Sequence, residues 1–327
     1  MIFLVRYKHI FVIVLVILFM LALVINPSIY MQSCLNGLRI WGINVLPALF
    51  PFFFFSGVLT RLGALNLIGA KLSFLMQKLF HCPGSSGVIY LLSIISGYPV
   101  GAKITSDLYA SGKLTHDEVV RINAFASTSG PLFVIGSVGV GMFVNHLLGV
   151  VILISHLLGA LINGLLYRNY HYTKNQPVVC QSSNNINDTI STTMYDSIIS
   201  ILIVGGYIIM ANIIIDMLFN IGILEFFVNI LKFVLSPILP QSSANGIASG
   251  LIEITRGCQD LSTLNLPIHI LGPLACGIIS WGGLSIHLQA LTFLNKCHIS
   301  PAFYMLQKLT HSLISTFICA GLCIIFF

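Results

Sequence analysis

The sequence predicts an all-α polytopic membrane protein made of two inverted repeats with broken helices or re-entrant hairpins. Three observations predict it. Of the 327 residues, 57% are hydrophobic and 7% charged, and the mean hydropathy is +0.97. A soluble domain carries about 25% charged residues, so this chain has too few to cover a water-exposed surface. Two apolar runs stop part-way on a Ser-Gly pair and meet a basic side chain after five more residues: Ser96-Gly97 with Lys103, and Ser249-Gly250 with Arg256. Broken backbone is tolerated at membrane depth only where protein buries it or it lines a wet cavity. Finally, the order of helix types in the first half of the chain returns in the second.

Arg6 and Lys8 precede the apolar run Ile10 to Ile25, and no small-x-small cleavage site follows. The run reads as a retained transmembrane helix over residues 9–30 with a cytoplasmic N-terminus. A second helix, Ile43 to Leu59, holds Pro47 and Pro51 and is expected to kink; Arg61, Lys71 and Lys78 mark a return to the cytoplasm. Residues 64–80 have the spacing of an amphipathic helix lying at the interface. After a break at His81 to Gly87, the run Val88 to Ile95 is too short to span and ends on Ser96-Gly97-Tyr98-Pro99. Residues 103–121 are polar and predict two helical pieces with a turn at Ser111-Gly112, the second opened by a capping box of Thr115 and Glu118. Ser127-Thr128-Ser129-Gly130-Pro131 interrupts the next apolar run, where Gly136, Gly139 and Gly141 allow close packing. Leu147 to Tyr167 is a plain membrane helix.

Residues 168–196 are rich in Asn, Ser and Thr and predict a hydrophilic linker. The expected division is therefore an N-terminal helix (1–35), a first repeat (36–167), the linker, and a second repeat (197–327). In the second repeat, Ile198 to Phe219 is a membrane helix and Gly222 to Leu239 a shorter one. Gln241 to Gly246 is a break, Glu253 to Leu264 the polar piece, and Pro267 to Leu294 an apolar run interrupted at Ser280-Trp281-Gly282-Gly283. Lys296 and Lys308 precede a final helix over Leu309 to Phe327.

The halves align residue by residue. Gly63 and Gly87 meet Gly222 and Gly246 at an offset of 159, and Ser96-Gly97, Lys103 and Gly130 meet Ser249-Gly250, Arg256 and Gly283 at 153. Arg61 ends the first repeat's opening helix inside, whereas Arg168 and Lys174 start the second's inside, so the repeats are expected to be inverted. Secondary transporters use this plan and bind solute near the midplane, where broken helices meet.

The scattered basic residues argue against nucleic acid. The eight cysteines show no C-x-x-C spacing, and Cys319 and Cys323 read as small apolar residues on one helix face. No G-x-S-x-G, P-loop or H-E-x-x-H is present, so neither a catalytic residue nor a metal or cofactor is expected. The candidate solute contacts lie at the breaks: Ser96, Gly97, Tyr98, Lys103, Ser127, Thr128, Ser129, Glu253, Thr255, Arg256, Ser280 and Trp281. Lys103 and Arg256, at equivalent positions, suit a small dicarboxylate; the plainer reading is that they mark the membrane boundary and pair with neighbours such as Asp107 and Glu253. The hydroxyl residues offer polar contacts or merely tight helix crossings. Glu253 suits a coupling proton or a basic neighbour, while His146, His156, His287 and His311 read as packing residues.

The run SGYPVGAKITSDLYASGKLTHDEV at residues 96–119, then Gly-Pro-Leu-Phe and GSVGVGMF, resembles the YlbJ-type sporulation integral membrane proteins. These carry a nucleoside-recognition or Gate domain related to the core of concentrative nucleoside transporters. GLIEITRGCQDLS at 250–262 is similar to the family's later Gate segment. The family usually has Asn where this chain has Gly130. The resemblance implies a transporter for a small anionic or nucleoside-like solute, with dipicolinate carried into the developing forespore as the expected case. It also implies a multi-pass protein of the membrane around the forespore. Its partners would be the solute, the bilayer, and a second copy or other sporulation membrane proteins. The alternative is a non-transporting component of a sporulation channel or scaffold.

Overall fold

The structure, a computed structural model, describes residues 2–171 and 186–327. Lys174 and Cys180 lie outside the described residues, as do the side chains of Arg6 and Lys8.

α1 (Ile2–Ile25) is followed by a turn of 103° into α2 (Pro27–Arg39). The helix expected over 9–30 is thus divided, because Pro27 has no N–H to continue α1 and instead opens a new helix at its first turn. α2 runs without interruption through a π-helical segment, Ile40–Val45, into α3 (Leu46–Arg61), with Pro51 inside it. α4 (Ala64–Phe80) and α5 (Ser85–Ser96) form a bent pair at 91°. α6 (Val100–Ala110) and α7 (His116–Asn123) are the two polar pieces, and the capping box forms as expected: Glu118 N–H donates to Thr115 Oγ1 (3.3 Å) and Thr115 N–H to Glu118 Oε2 (2.8 Å). Residues 127–130 are unwound, a π-helical segment follows at Leu132–Met142, and α8 (His146–Tyr167) is a plain span.

The second half begins with α9 (Ile186–Asn220), which starts well before the expected Ile198. α10 (Ile223–Leu235), α11 (Ala244–Ile252) and α12 (Ile254–Ser262) follow. α13 (Ile268–Trp281) and α14 (Gly283–Leu294) form one apolar span broken at Gly282, and α15 (Pro301–Phe326) is the last. Among the described residues, four helices are long and apolar enough to cross a membrane, or six if each bent pair counts as one. The seven described cysteines are free, and six of them are buried.

The repeat is visible in the backbone. The continuous helix Pro27–Arg61 and α9 are both 35 residues long, and both ends match at the offset of 159. Each is followed by a left-handed glycine, Gly63 (φ +85°) or Gly222 (φ +77°). The two helices lie antiparallel, as inverted repeats require. Arg61 Nη2 meets Asp196 Oδ2 at 2.6 Å at one end, Trp41 Nε1 donates to the Ile201 carbonyl (3.1 Å) in the middle, and Asn220 Nδ2 donates to Tyr30 Oη (3.4 Å) at the other end.

Each repeat also folds its two breaks onto one another, at equivalent glycines. A Cβ on Gly97 (φ +82°) would lie 2.9 Å from Gly130 N, and one on Gly283 (φ +66°) would lie 2.9 Å from Ile252 O and 3.2 Å from Gly250 O. A side chain at Gly130 would begin 3.2 Å from Gly97 N.

Gly283→Ala is expected to destabilise the protein by about 1–3 kcal/mol, through backbone clash and the left-handed φ. It should lower the thermal transition measured in detergent, whereas Gly206→Ala, whose Cβ meets nothing within 4 Å inside α9, should leave it unchanged or raise it.

Candidate functional site

The breaks of both repeats converge on one small pocket, with a cavity volume of about 70 Å³. It lies between the middles of the two antiparallel helices, lined by Val45, Leu49 and Phe52 on one and Val204 and Ile208 on the other. Ser96, Gly97 and Tyr98 enter from the first break, Ser129, Gly130, Leu132 and Phe133 from the second, Glu253, Ile254 and Thr255 from the α11–α12 junction, and Ile286 and Gln289 from α14. Both π-helical segments contribute, through Val45 and through Leu132 with Phe133. π-turns widen a helix locally and recur at functional sites.

Polar groups are few and well placed. Glu253, 2% exposed, caps α12: its carboxylate accepts from Arg256 N–H (2.8 Å) and from Thr255 Oγ1 (3.1 Å). Gln289 Nε2 donates to Ser285 Oγ (3.1 Å). Ser96 Oγ is buried without a hydrogen-bond partner, and so is Ser249 Oγ at the equivalent position of the second repeat. A buried polar atom left unpaired is costly, so a hydroxyl facing a pocket in that state suits a ligand contact.

Six of the twelve sequence-predicted residues therefore share this pocket: Ser96, Gly97, Tyr98, Ser129, Glu253 and Thr255. Ser127, Thr128, Ser280 and Trp281 lie behind it in hydrogen-bonded packing. Ser127 Oγ is 3.4 Å from Tyr304 Oη, Thr128 N–H donates to Ser93 Oγ (3.1 Å), Ser280 Oγ is 2.8 Å from His156 Nδ1, and Trp281 Nε1 donates to the Leu251 carbonyl (3.2 Å).

Lys103 and Arg256 do not face one pocket. Lys103 lies beside Arg61 and Asp196 at one end of the antiparallel pair; its Nζ donates to the Asp196 carbonyl (3.3 Å) and sits 5.6 Å from the Phe53 ring centre. Outside the spanning helices, burial lowers the Lys103 pKa against the opposing pull of Asp107 and Asp196, and burial raises that of Asp107. Arg256 lies at the other end, 3.5 Å from Asp216 and 3.4 Å from Asp260. Asp196 and Asp216 are both on α9, separated by twenty residues, roughly 30 Å along a helix. No small dicarboxylate bridges that span. The neighbours considered for pairing do not form the ion pairs: Arg256 meets Asp216 and Asp260 while Glu253 takes only its backbone N–H, and Lys103 bonds the Asp196 carbonyl with Asp107 nearby in the same pocket.

Lys308 also departs from expectation. It lies inside α15 and is 2% exposed, rather than flanking a helix that starts at Leu309. Pro301, a residue suited to the first helical turn, was the signal for the earlier start. Gln289, on a plain apolar helix, had no sequence signal as a pocket residue.

The fold is that of a multi-pass integral membrane protein with a pocket at its centre. Residues 42–153 match the Gate family, described as nucleoside recognition. Over 315 residues the chain is 27% identical to the sporulation integral membrane protein YlbJ of Bacillus subtilis (strain 168), covering 89% of this chain and 77% of that one. In fold it is similar to a variant of CNTnw in an outward-facing state (TM-score 0.60, 14% identity, 93% of this chain and 86% of that one). It is also similar to CNTnw in an inward-facing, substrate-bound state (TM-score 0.54, 13% identity, 94% and 86%).

Single cysteines in place of Lys103 and of Arg256, in a cysteine-depleted background, are expected to react with a membrane-impermeant maleimide from opposite sides of the bilayer. Labelling of both from one side would contradict the inverted arrangement.

Proposed function

We propose that the protein is a secondary transporter that carries a small polar solute through the central pocket. The observation that carries this reading is the convergence of both repeats' breaks on that pocket, where the Ser96 hydroxyl is left unpaired. At about 70 Å³ the cavity is well below the roughly 300–1,000 Å³ of small-molecule sites, so it must widen to take up such a solute. The lining holds Glu253 but no Lys, Arg or His. This favours a solute with hydrogen-bond donors and no fixed negative charge, which is the chemistry of a nucleoside. Aliphatic and aromatic walls from Leu49, Phe52, Ile208 and Phe133 would receive the flat base, and the hydroxyl and carboxylate groups its polar edge.

Dipicolinate, carried toward the forespore, is the second reading. The likeness to a sporulation protein favours it, and so does the N-terminus of α12, whose Ile254 and Thr255 line the pocket at the positive end of a helix dipole. Lys103 and Arg256 do not support it, because each is engaged at an end of the molecule. A non-transporting role in a sporulation membrane complex would need no solute pocket at the breaks.

Uptake of labelled uridine and of labelled dipicolinate into proteoliposomes separates these readings. Wild type is expected to take up uridine. Glu253→Gln, which keeps the cap on α12, should weaken uridine about tenfold or more, the effect of losing a hydrogen bond to a charged group. Lys103→Ala and Arg256→Ala should retain the wild-type affinity. Uptake of dipicolinate alone would favour the second reading, and uptake of neither by well-folded protein would rule out both.

A further inference from the structure

Lys308 is the one buried lysine among the described residues without a carboxylate partner, and it is set against the first repeat's unwound segment. Its Nζ donates to the Ser127 carbonyl and lies 5.1 Å from the centre of the Tyr98 ring. The residue is about 10 Å along α15 from the helix start, inside a membrane-crossing helix.

The groups around it come from every neighbouring element. α8 supplies His156, whose Nε2 accepts from Ser129 N–H (2.8 Å) and whose Nδ1 is 2.8 Å from Ser280 Oγ. α15 supplies Tyr304 and also His311, whose Nε2 is 3.0 Å from the His156 carbonyl. α14 supplies His287, its ring 5.6 Å from that of Tyr304. α13 supplies Cys276, whose thiol is within reach of the Ile152 and Ser315 carbonyls. α7 supplies Arg121, a donor to the Tyr170 carbonyl. Glu253 is engaged by its own cap.

A fixed ammonium buried without a counter-charge is one of the costliest arrangements a protein can hold. An ionisable group inside the membrane marks an ion or substrate path. The Tyr98 ring lines the pocket, and Lys308 lies behind it, outside the pocket lining. A solute in the pocket does not touch Nζ, whereas a proton can reach it. A sodium ion would be repelled by the same group once charged. His156 is not the carrier in this arrangement: accepting Ser129 N–H at Nε2 fixes it as the neutral tautomer with its proton on Nδ1.

We propose that Lys308 is a proton-binding site that couples solute movement to a proton gradient. This inference rests on the transporter reading above. Hydronium on one side gives its proton to the Nζ lone pair and leaves as water; Nζ returns the proton to water on the other side, and only N–H bonds form and break. In the charged form, the bond to the Ser127 carbonyl becomes charge-assisted and stronger. Ser127 opens the unwound stretch that lines the pocket through Ser129 and Gly130, so proton and solute act on the same few residues of backbone.

The test uses full-length protein in proteoliposomes with pyranine inside, no sodium gradient, and uridine or dipicolinate as the added solute. Wild type should acidify the interior when the transported solute is added, and a one-unit inward proton gradient should concentrate that solute up to about tenfold at one proton per solute. Lys308→Met should lose both responses yet still exchange labelled for unlabelled solute, which shows a folded, binding-competent protein. Should K308M fail to fold, Lys308→Arg, whose charge is permanent, should likewise exchange without moving protons. Proton entry retained by either variant overturns the proposal, as does wild-type uptake that ignores the proton gradient. A wild type that moves no solute under any condition instead overturns the transporter reading, and this inference with it.

Discussion

Backbone that leaves a helix inside a membrane must find partners within the protein, and this requirement shapes the fold. The chain unwinds at Gly97, at residues 127–130, at Glu253 and at Gly282. It settles these segments by packing them against one another, glycine backbone to glycine backbone, within each repeat. The hydroxyls and imidazoles behind the pocket complete the task. Ser93 receives Thr128 N–H, His156 receives Ser129 N–H, and Lys308 holds the Ser127 carbonyl. The pocket lies where the unwound segments at Gly97, at 127–130 and at Glu253 meet the side chains of α14 and of the two antiparallel helices.

Around this centre, the antiparallel helices Pro27–Arg61 and Ile186–Asn220 act as a frame. Their middles wall the pocket with apolar side chains, while their ends carry the ion pairs. The Arg61–Asp196 pair is about two-fifths exposed on each side, so its contribution to stability is modest, on the order of 1 kcal/mol or less. The ion pairs are thus held at the two ends, and the pocket lining keeps hydroxyls, an amide and one capped carboxylate.

Much of this was legible in the sequence because it depends on glycine, proline and spacing. The offset between repeats came from glycines whose positive φ or close backbone contact leaves little alternative, as at Gly63, Gly222 and Gly283. Thr115 and Glu118 marked a helix start correctly, since a capping box is a local device. The errors concerned long-range placement. Lys103 and Arg256 sit at equivalent positions, but an inverted repeat sends equivalent positions to opposite ends, so their symmetry separated them. Lys308 read as a flanking charge because its burial depends on Tyr98, Ser127 and His156, all more than 150 residues away in sequence. The bend at Asn26-Pro27 is written in the sequence: the apolar run ends at Ile25, and Pro27 cannot continue α1.

The two ends repeat one another in backbone but not in charge. Among the described residues, three cations and two carboxylates gather at the Lys103 end, Lys103, Arg61 and Lys296 with Asp107 and Asp196. Around Arg256 stand one cation and two carboxylates, Asp216 and Asp260. Two halves identical in every side chain would make a structure open at one end the mirror in energy of one open at the other. Unequal ends remove that equivalence. The two faces of the molecule are thus electrostatically distinct although their backbones repeat.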